Sequence, residues 1–105
     1  MEIVETKLFT TLITELFADE EYRELQNALL KFPAAGNLME GGHGLRKLRW
    51  REEGSGKRGG LRVIYFWPPN ENKIFMVTVY KKNRQETLTS EQLKVLGKLA
   101  KECLK

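Results

Sequence analysis

The chain has 105 residues, 41% of them hydrophobic and 30% charged, with a formal net charge of +4. That length and balance suit one folded domain over residues 1–105 with a single hydrophobic core. No stretch approaches the ~18 to 20 uninterrupted apolar residues of a membrane span. The acidic start "MEIVETKLF" lacks the basic and apolar regions of a secretory signal, and one Cys with one His excludes an internal disulfide and a structural zinc site.

The segment "EIVET" reads as a short first strand. From Thr6 onward Leu8, Phe9, Leu12, Ile13, Leu16 and Phe17 follow helical spacing, against the strand preference of the threonines at 6, 10, 11 and 14. Asp19 reads as the N-cap of a second helix, with Glu20 and Glu21 at its positive end. Tyr22, Leu25, Leu29 and Phe32 recur on one face of that helix, and Pro33 ends it. "AAGNLMEGGHG", with four glycines between residues 36 and 44, reads as a loop.

From Leu45 the period changes to two. Leu48 and Trp50 point one way, and Lys47, Arg49 and Arg51 the other. "GSGKRGG" is a glycine-rich hairpin connection. "LRVIYFW" is nearly all apolar, as an internal strand covered on both faces requires. "PPNEN" turns the chain into "KIFMVTVYKK", apolar on both faces and ending in paired lysines. Thr89 with Gln92 resembles a capping box that opens a last helix. Leu93, Leu96, Ala100, Cys103 and Leu104 form its buried stripe, and Gly97 weakens it. The order β-α-α-β-β-β-α predicts an antiparallel meander with helices on at least one face, a small α+β fold.

The charge is unevenly placed. Residues 45–84 hold eleven bases and three acids, a local +8, whereas the rest holds seven bases and eleven acids, −4. Such asymmetry points to a polyanionic partner, although lysines also protect a solvated sheet edge. Arg62 stands inside an otherwise apolar strand. A buried arginine requires a partner or an anionic ligand. Glu52, Glu53 and Glu86 are candidate partners; a phosphate docking in an open groove is the alternative. Trp50, Tyr65, Phe66, Trp67 and Tyr80 lie near the basic positions. Core packing accounts for most of them, and Tyr80, just before the lysines, is the best placed to stack a base.

The sequence has no P-loop, no metal-ligand spacing and no cysteine–histidine pair for nucleophilic catalysis. A cluster of Lys and Arg still suffices to cleave RNA, because the substrate supplies the nucleophile. A base removes the 2′-hydroxyl proton, positive groups stabilise the pentavalent phosphate, and an acid protonates the leaving 5′ oxygen. Neighbouring positive charge favours the neutral form of a lysine. DNA lacks the 2′-hydroxyl and resists this route. His43, the only histidine, lies in the "GGHG" loop. It fits an ordinary surface position and, less readily, a proton-transfer role.

"GLRKLRW", then "GSGKRGGLRVIYFW", then "MVTVYKKNRQETLTSEQ" resemble the RelE/HigB-type toxins of bacterial toxin–antitoxin pairs, and look closest to the HigB-like branch. The resemblance covers the whole chain. It implies a small RelE-like, microbial-ribonuclease-like fold and ribosome-dependent cleavage of messenger RNA without a metal or other cofactor. It maps the catalytic basic residues onto Lys47, Arg49, Arg62 and Lys82, where the RelE pattern has arginine at the last place. A tyrosine of the family is replaced by Leu88. The expectation is therefore a cytoplasmic endoribonuclease with Lys47 as general base and Arg49, Arg62 and Lys82 on the phosphate. Arg51, Lys57, Arg58 and Arg84 would contact RNA. Its implied partners are mRNA, the ribosome and a HigA-like DNA-binding antitoxin, with no membrane. The rival expectations are a non-catalytic RNA- or ribosome-binding module and an inactive toxin retained as an antitoxin partner.

Overall fold

The computed structural model describes residues 1–50, 60–82 and 88–102. Its elements in chain order are β1 (Glu2–Glu5), α1 (Lys7–Leu16), α2 (Asp19–Lys31), β2 (Asn37–Leu38), β3 (Leu45–Trp50), β4 (Leu61–Phe66), β5 (Lys73–Lys81) and α3 (Ser90–Glu102). The strands form one sheet in the order β1-β5-β4-β3-β2. β3, β4 and β5 make the expected antiparallel meander. The sheet as a whole is mixed, because β1 lies parallel to β5 along Lys73–Met76. The glycine-rich segment is also not all loop, since Asn37 and Leu38 pair with Lys47 and Arg46.

Every residue of β4 is buried, as a strand covered on both faces must be. On one face Leu61, Val63 and Tyr65 join Phe9 and Ile13 of α1 and Leu25 and Leu29 of α2. On the other, Ile64 and Phe66 join Leu93, Leu96 and Ala100 of α3. The molecule thus has three layers, with two helices beneath the sheet and one above it.

Thr6 fixes where β1 stops and α1 starts. Its hydroxyl accepts a hydrogen bond from the Phe9 N–H at 3.0 Å and donates one to the Val77 carbonyl at 2.8 Å. The first bond satisfies a free donor at the helix start, and the second ties that start to β5. The other threonines are accommodated by bonding backward: Thr10 to the Thr6 carbonyl, Thr11 to Lys7 and Thr14 to Thr11.

Two helix expectations need correction. The N-cap of α2 is Ala18, in extended conformation with no side-chain bond, and Asp19 is the first helical residue. Asp19, Glu20 and Glu21 still occupy the first turn, where the helix dipole favours them. Phe32 is 64% exposed rather than on the buried stripe. The helix ends at Lys31, and Phe32 has already left helical geometry, so the spacing no longer sets its direction. In α3 the capping box forms as expected, with the Thr89 N–H donating to Gln92 Oε1 and the Gln92 N–H to Thr89 Oγ1. Leu93, Leu96 and Ala100 make the buried stripe; Cys103 and Leu104 lie outside the described residues. Gly97 does more than weaken the helix. A Cβ there would sit 2.8 Å from the Cβ of His43, so the missing side chain admits the 39–44 loop against α3.

The Tyr65 hydroxyl anchors the chain after α2. It accepts from the Gly36 N–H at 2.8 Å and donates to the Pro33 carbonyl at 2.7 Å. Tyr65→Phe leaves the buried Gly36 donor unpaired and is expected to cost about 1–3 kcal/mol, read from urea denaturation. In Gly97→Ala, a helix-propensity gain of about 1 kcal/mol opposes a clash costing about 1–3 kcal/mol. The clash should win, and the urea midpoint should fall.

Candidate nucleic-acid interface

Strand register assembles the basic residues. Arg49 of β3 lies opposite Arg62 of β4, and Arg62 lies opposite Tyr80 of β5, forming one row across three strands. Lys47 opposite Ile64, and Thr78 beyond it, form the next row. Past the end of β5, the Lys82 N–H donates to the Gly60 carbonyl at 3.1 Å and continues the ladder. Side chains two apart on a strand share a face. Lys47, Arg49, Arg62, Tyr80 and Lys82 therefore gather on the α3 side of the sheet. The apolar contacts of α3 fill the Leu45 and Phe66 end of that face. The basic row occupies the opposite end, beside Trp50 and Leu61.

The four basic residues differ in exposure. Arg49 is exposed, and Lys47 and Lys82 are half-buried. Arg62 is only 4% exposed, so its guanidinium is covered rather than facing open solvent. Nη1 of Arg62 lies 3.5 Å from the Leu61 carbonyl, at the limit of a hydrogen bond, and Arg62 makes further interactions besides. Glu52, Glu53 and Glu86, the acids considered as its partners, lie outside the described residues. So do Arg51, Lys57, Arg58 and Arg84.

Not every base of the central segment belongs to this face. Arg46 points to the other side of the sheet, where Nη1 donates to the Gly36 carbonyl at 2.8 Å. Its guanidinium carbon stands 5.8 Å from the centre of the Trp67 ring, within cation–π range. Lys73, at the far end of β5, approaches Glu2 at 4.0 Å. His43 is exposed, with a positive φ of 56°, and packs against Gly97. It precedes Leu45, so at ~3.3 Å per residue the strand alone separates it from the Arg49 row by roughly 13 Å. That distance favours the surface-loop reading of His43. Among the described residues no three His, Cys, Asp or Glu side chains gather to hold a metal ion.

All five candidate aromatics take part in packing, Tyr80 as a partly buried ring against the α3-side core. Tyr65 and Phe66 are buried in the two cores, Trp50 packs against the α1–α2 core, and Trp67 lies against both that core and Arg46. Tyr80 alone sits in the basic row. Its hydroxyl is buried and has no hydrogen-bond partner among the described residues. Burial pushes that hydroxyl's pKa up, and the charge of Arg62 opposes the shift. The sequence marked Tyr80 only as a stacking ring. An orphaned hydroxyl depends on what surrounds it in three dimensions, and no local pattern announces it.

Compared with known protein families, residues 1–105 match the model of the family described as the RelE toxin of the RelE / RelB toxin-antitoxin system.

The exposure difference predicts a stability difference. Arg49→Ala should move the folding free energy by no more than the ~0.5 kcal/mol of an ordinary surface substitution. Arg62→Ala, which removes a buried charge together with its contacts, should cost well beyond that. Parallel urea titrations check both, and equal midpoints would mean that Arg62 carries no structural role.

Proposed function

The chain belongs to the RelE toxin family, whose members are typically endoribonucleases acting on mRNA, and from that premise we propose a ribosome-dependent mRNA endonuclease built on the row Lys47, Arg49, Arg62 and Lys82. The observation that carries the reading is the convergence of these four residues on one sheet face. Phosphate recognition needs several cations within reach of one phosphate, and three adjacent strands supply them.

In this mechanism Lys47 takes the proton of the 2′-hydroxyl. The oxygen attacks the adjacent phosphorus, the bond to the 5′ oxygen of the next nucleotide breaks, and that oxygen takes up a proton from water to leave as a hydroxyl, giving a 2′,3′-cyclic phosphate on the other fragment. Arg49, Arg62 and Lys82 stabilise the charge that builds on the phosphoryl oxygens. For Arg62 this requires its cover to yield when RNA binds. Arg51, Lys57, Arg58 and Arg84 are assigned to wider RNA contacts. No step calls for a metal or another cofactor. The "GKRGGLRVIY" and "VYKKN" segments support placement in the HigB-like branch. They also support a HigA-like antitoxin partner and a cytoplasmic site of action for the single domain 1–105.

Two observations favour a second reading, a non-catalytic RNA- or ribosome-binding module or an inactive toxin that still binds its antitoxin. Leu88 stands where the family pattern has tyrosine, and Arg62 is covered.

Primer extension on a defined message, with and without ribosomes, separates the readings. The nuclease reading expects cuts only with ribosomes, and a fall of about 10²–10⁴-fold in Lys47→Ala, the range a general base contributes. Arg49→Ala, an exposed site, tests the phosphate grip without disturbing the fold. Cuts on naked RNA would indicate a general ribonuclease. No cuts, with translation unaffected, would select the binding module.

A further inference from the structure

The orphaned hydroxyl of Tyr80 calls for an explanation. A buried hydroxyl with no partner costs stability, and a phenylalanine would occupy the same space without that cost. Tyr65, on the neighbouring strand, shows what this fold does with a buried phenol when the role is structural. There the hydroxyl both accepts and donates at ordinary distances. Tyr80 has neither bond among the described residues. Its position is also specific. It is the direct cross-strand neighbour of Arg62 and two residues from Lys82, in the middle of the basic row.

We infer that Tyr80 is a substrate-contacting residue whose hydroxyl donates a hydrogen bond to a phosphoryl oxygen of the RNA held by Arg49, Arg62 and Lys82. The inference rests on the nuclease reading and adds to it a neutral donor beside the four basic residues. The phenol keeps its proton throughout. The bond it donates strengthens as charge grows on the phosphoryl oxygen, which is the condition for acceleration rather than mere binding.

The Tyr80 side chain has room to move. The Tyr80 residue is only half-buried, although its oxygen is enclosed. Tyr80 lines a groove of about 310 Å³ between α1 and α3, with Leu8, Leu88, Gln92 and Val95; the groove adjoins the basic row without including its cations. Rotation of the side chain breaks no hydrogen bond to the described residues. A bound phosphate offers the partner it lacks, so the ligand itself favours the turned-out state.

Tyr80→Phe is the decisive variant. Thermal melting of the free protein should show a midpoint equal to or above that of the wild type, since only an unsatisfied group is lost. Ribosome-dependent cleavage of a defined message should fall at least tenfold at saturating substrate, with little change in the substrate concentration at half-maximal rate. A second variant, Tyr80→Leu, removes the ring as well and should be no more active than Tyr80→Phe. Wild-type cleavage matched by Tyr80→Phe would overturn the inference and leave the nuclease reading intact. A Tyr80→Phe midpoint well below the wild type would reveal a structural bond for the hydroxyl and would also overturn it. No cleavage by the wild type would end both readings together.

Discussion

The organisation of this molecule follows from the burial of β4. All six of its residues are enclosed, between β3 and β5 in the sheet and between α1–α2 and α3 across it. A strand in that position must be apolar, and five of its residues are. The sixth is Arg62. A guanidinium taken out of water loses more than an apolar contact returns unless charge or hydrogen bonding compensates. The strand that holds the layers together thus carries the residue most expensive to place there. Its cross-strand neighbours define the candidate site: Arg49 on one side and Tyr80 on the other.

What the sequence made legible depended on local chemistry. The nearly continuous apolar run of β4 announced a strand buried on both faces. The Thr89–Gln92 pair announced the start of α3, and period-two alternation placed Lys47 and Arg49 on one side of β3. Each of these signals is complete within a few residues. The parallel pairing of β1 with β5 was not visible, because its registration joins Glu2–Glu5 to Lys73–Met76 across most of the chain. Thr6 makes that junction with a bond to Val77, and nothing near Thr6 in sequence foretells it. Phe32 and Asp19 were misplaced for a smaller reason. Spacing and cap preference do not fix the single residue at which a helix gives way, and both lie at that boundary. The short β2 was hidden in a glycine-rich stretch whose composition reads as loop.

Charge counting found the right region and overstated the site. Of the bases in the central segment, Arg46 is committed to the Gly36 carbonyl and the Trp67 ring, on the wrong face for the row. Lys73 lies beside Glu2 at the distant end of β5. Two arginines on adjacent strands, Arg46 and Arg62, therefore have different environments, and only register tells them apart. Composition gives the sum of the charge; the pleat of the sheet decides how much of it one phosphate would meet.

The two tyrosines make the same distinction for neutral groups. Tyr65 and Tyr80 both bury phenols in the sheet, and burial raises the pKa of both. Tyr65 repays that burial with two hydrogen bonds that hold the chain after α2 in place. Tyr80 leaves its hydroxyl unmatched beside a buried arginine. A fold selected for stability alone has no use for either feature, and here they are adjacent in one cross-strand row. An unmatched hydroxyl beside a buried charge is how the proposed binding face differs from a core, because a ligand can supply the partner that the hydroxyl lacks. In this molecule the β4 strand supplies rigidity, α3 closes one end of the face, and the cost in stability is gathered at the other end, where the exposed Arg49 leaves the row open to a polyanion.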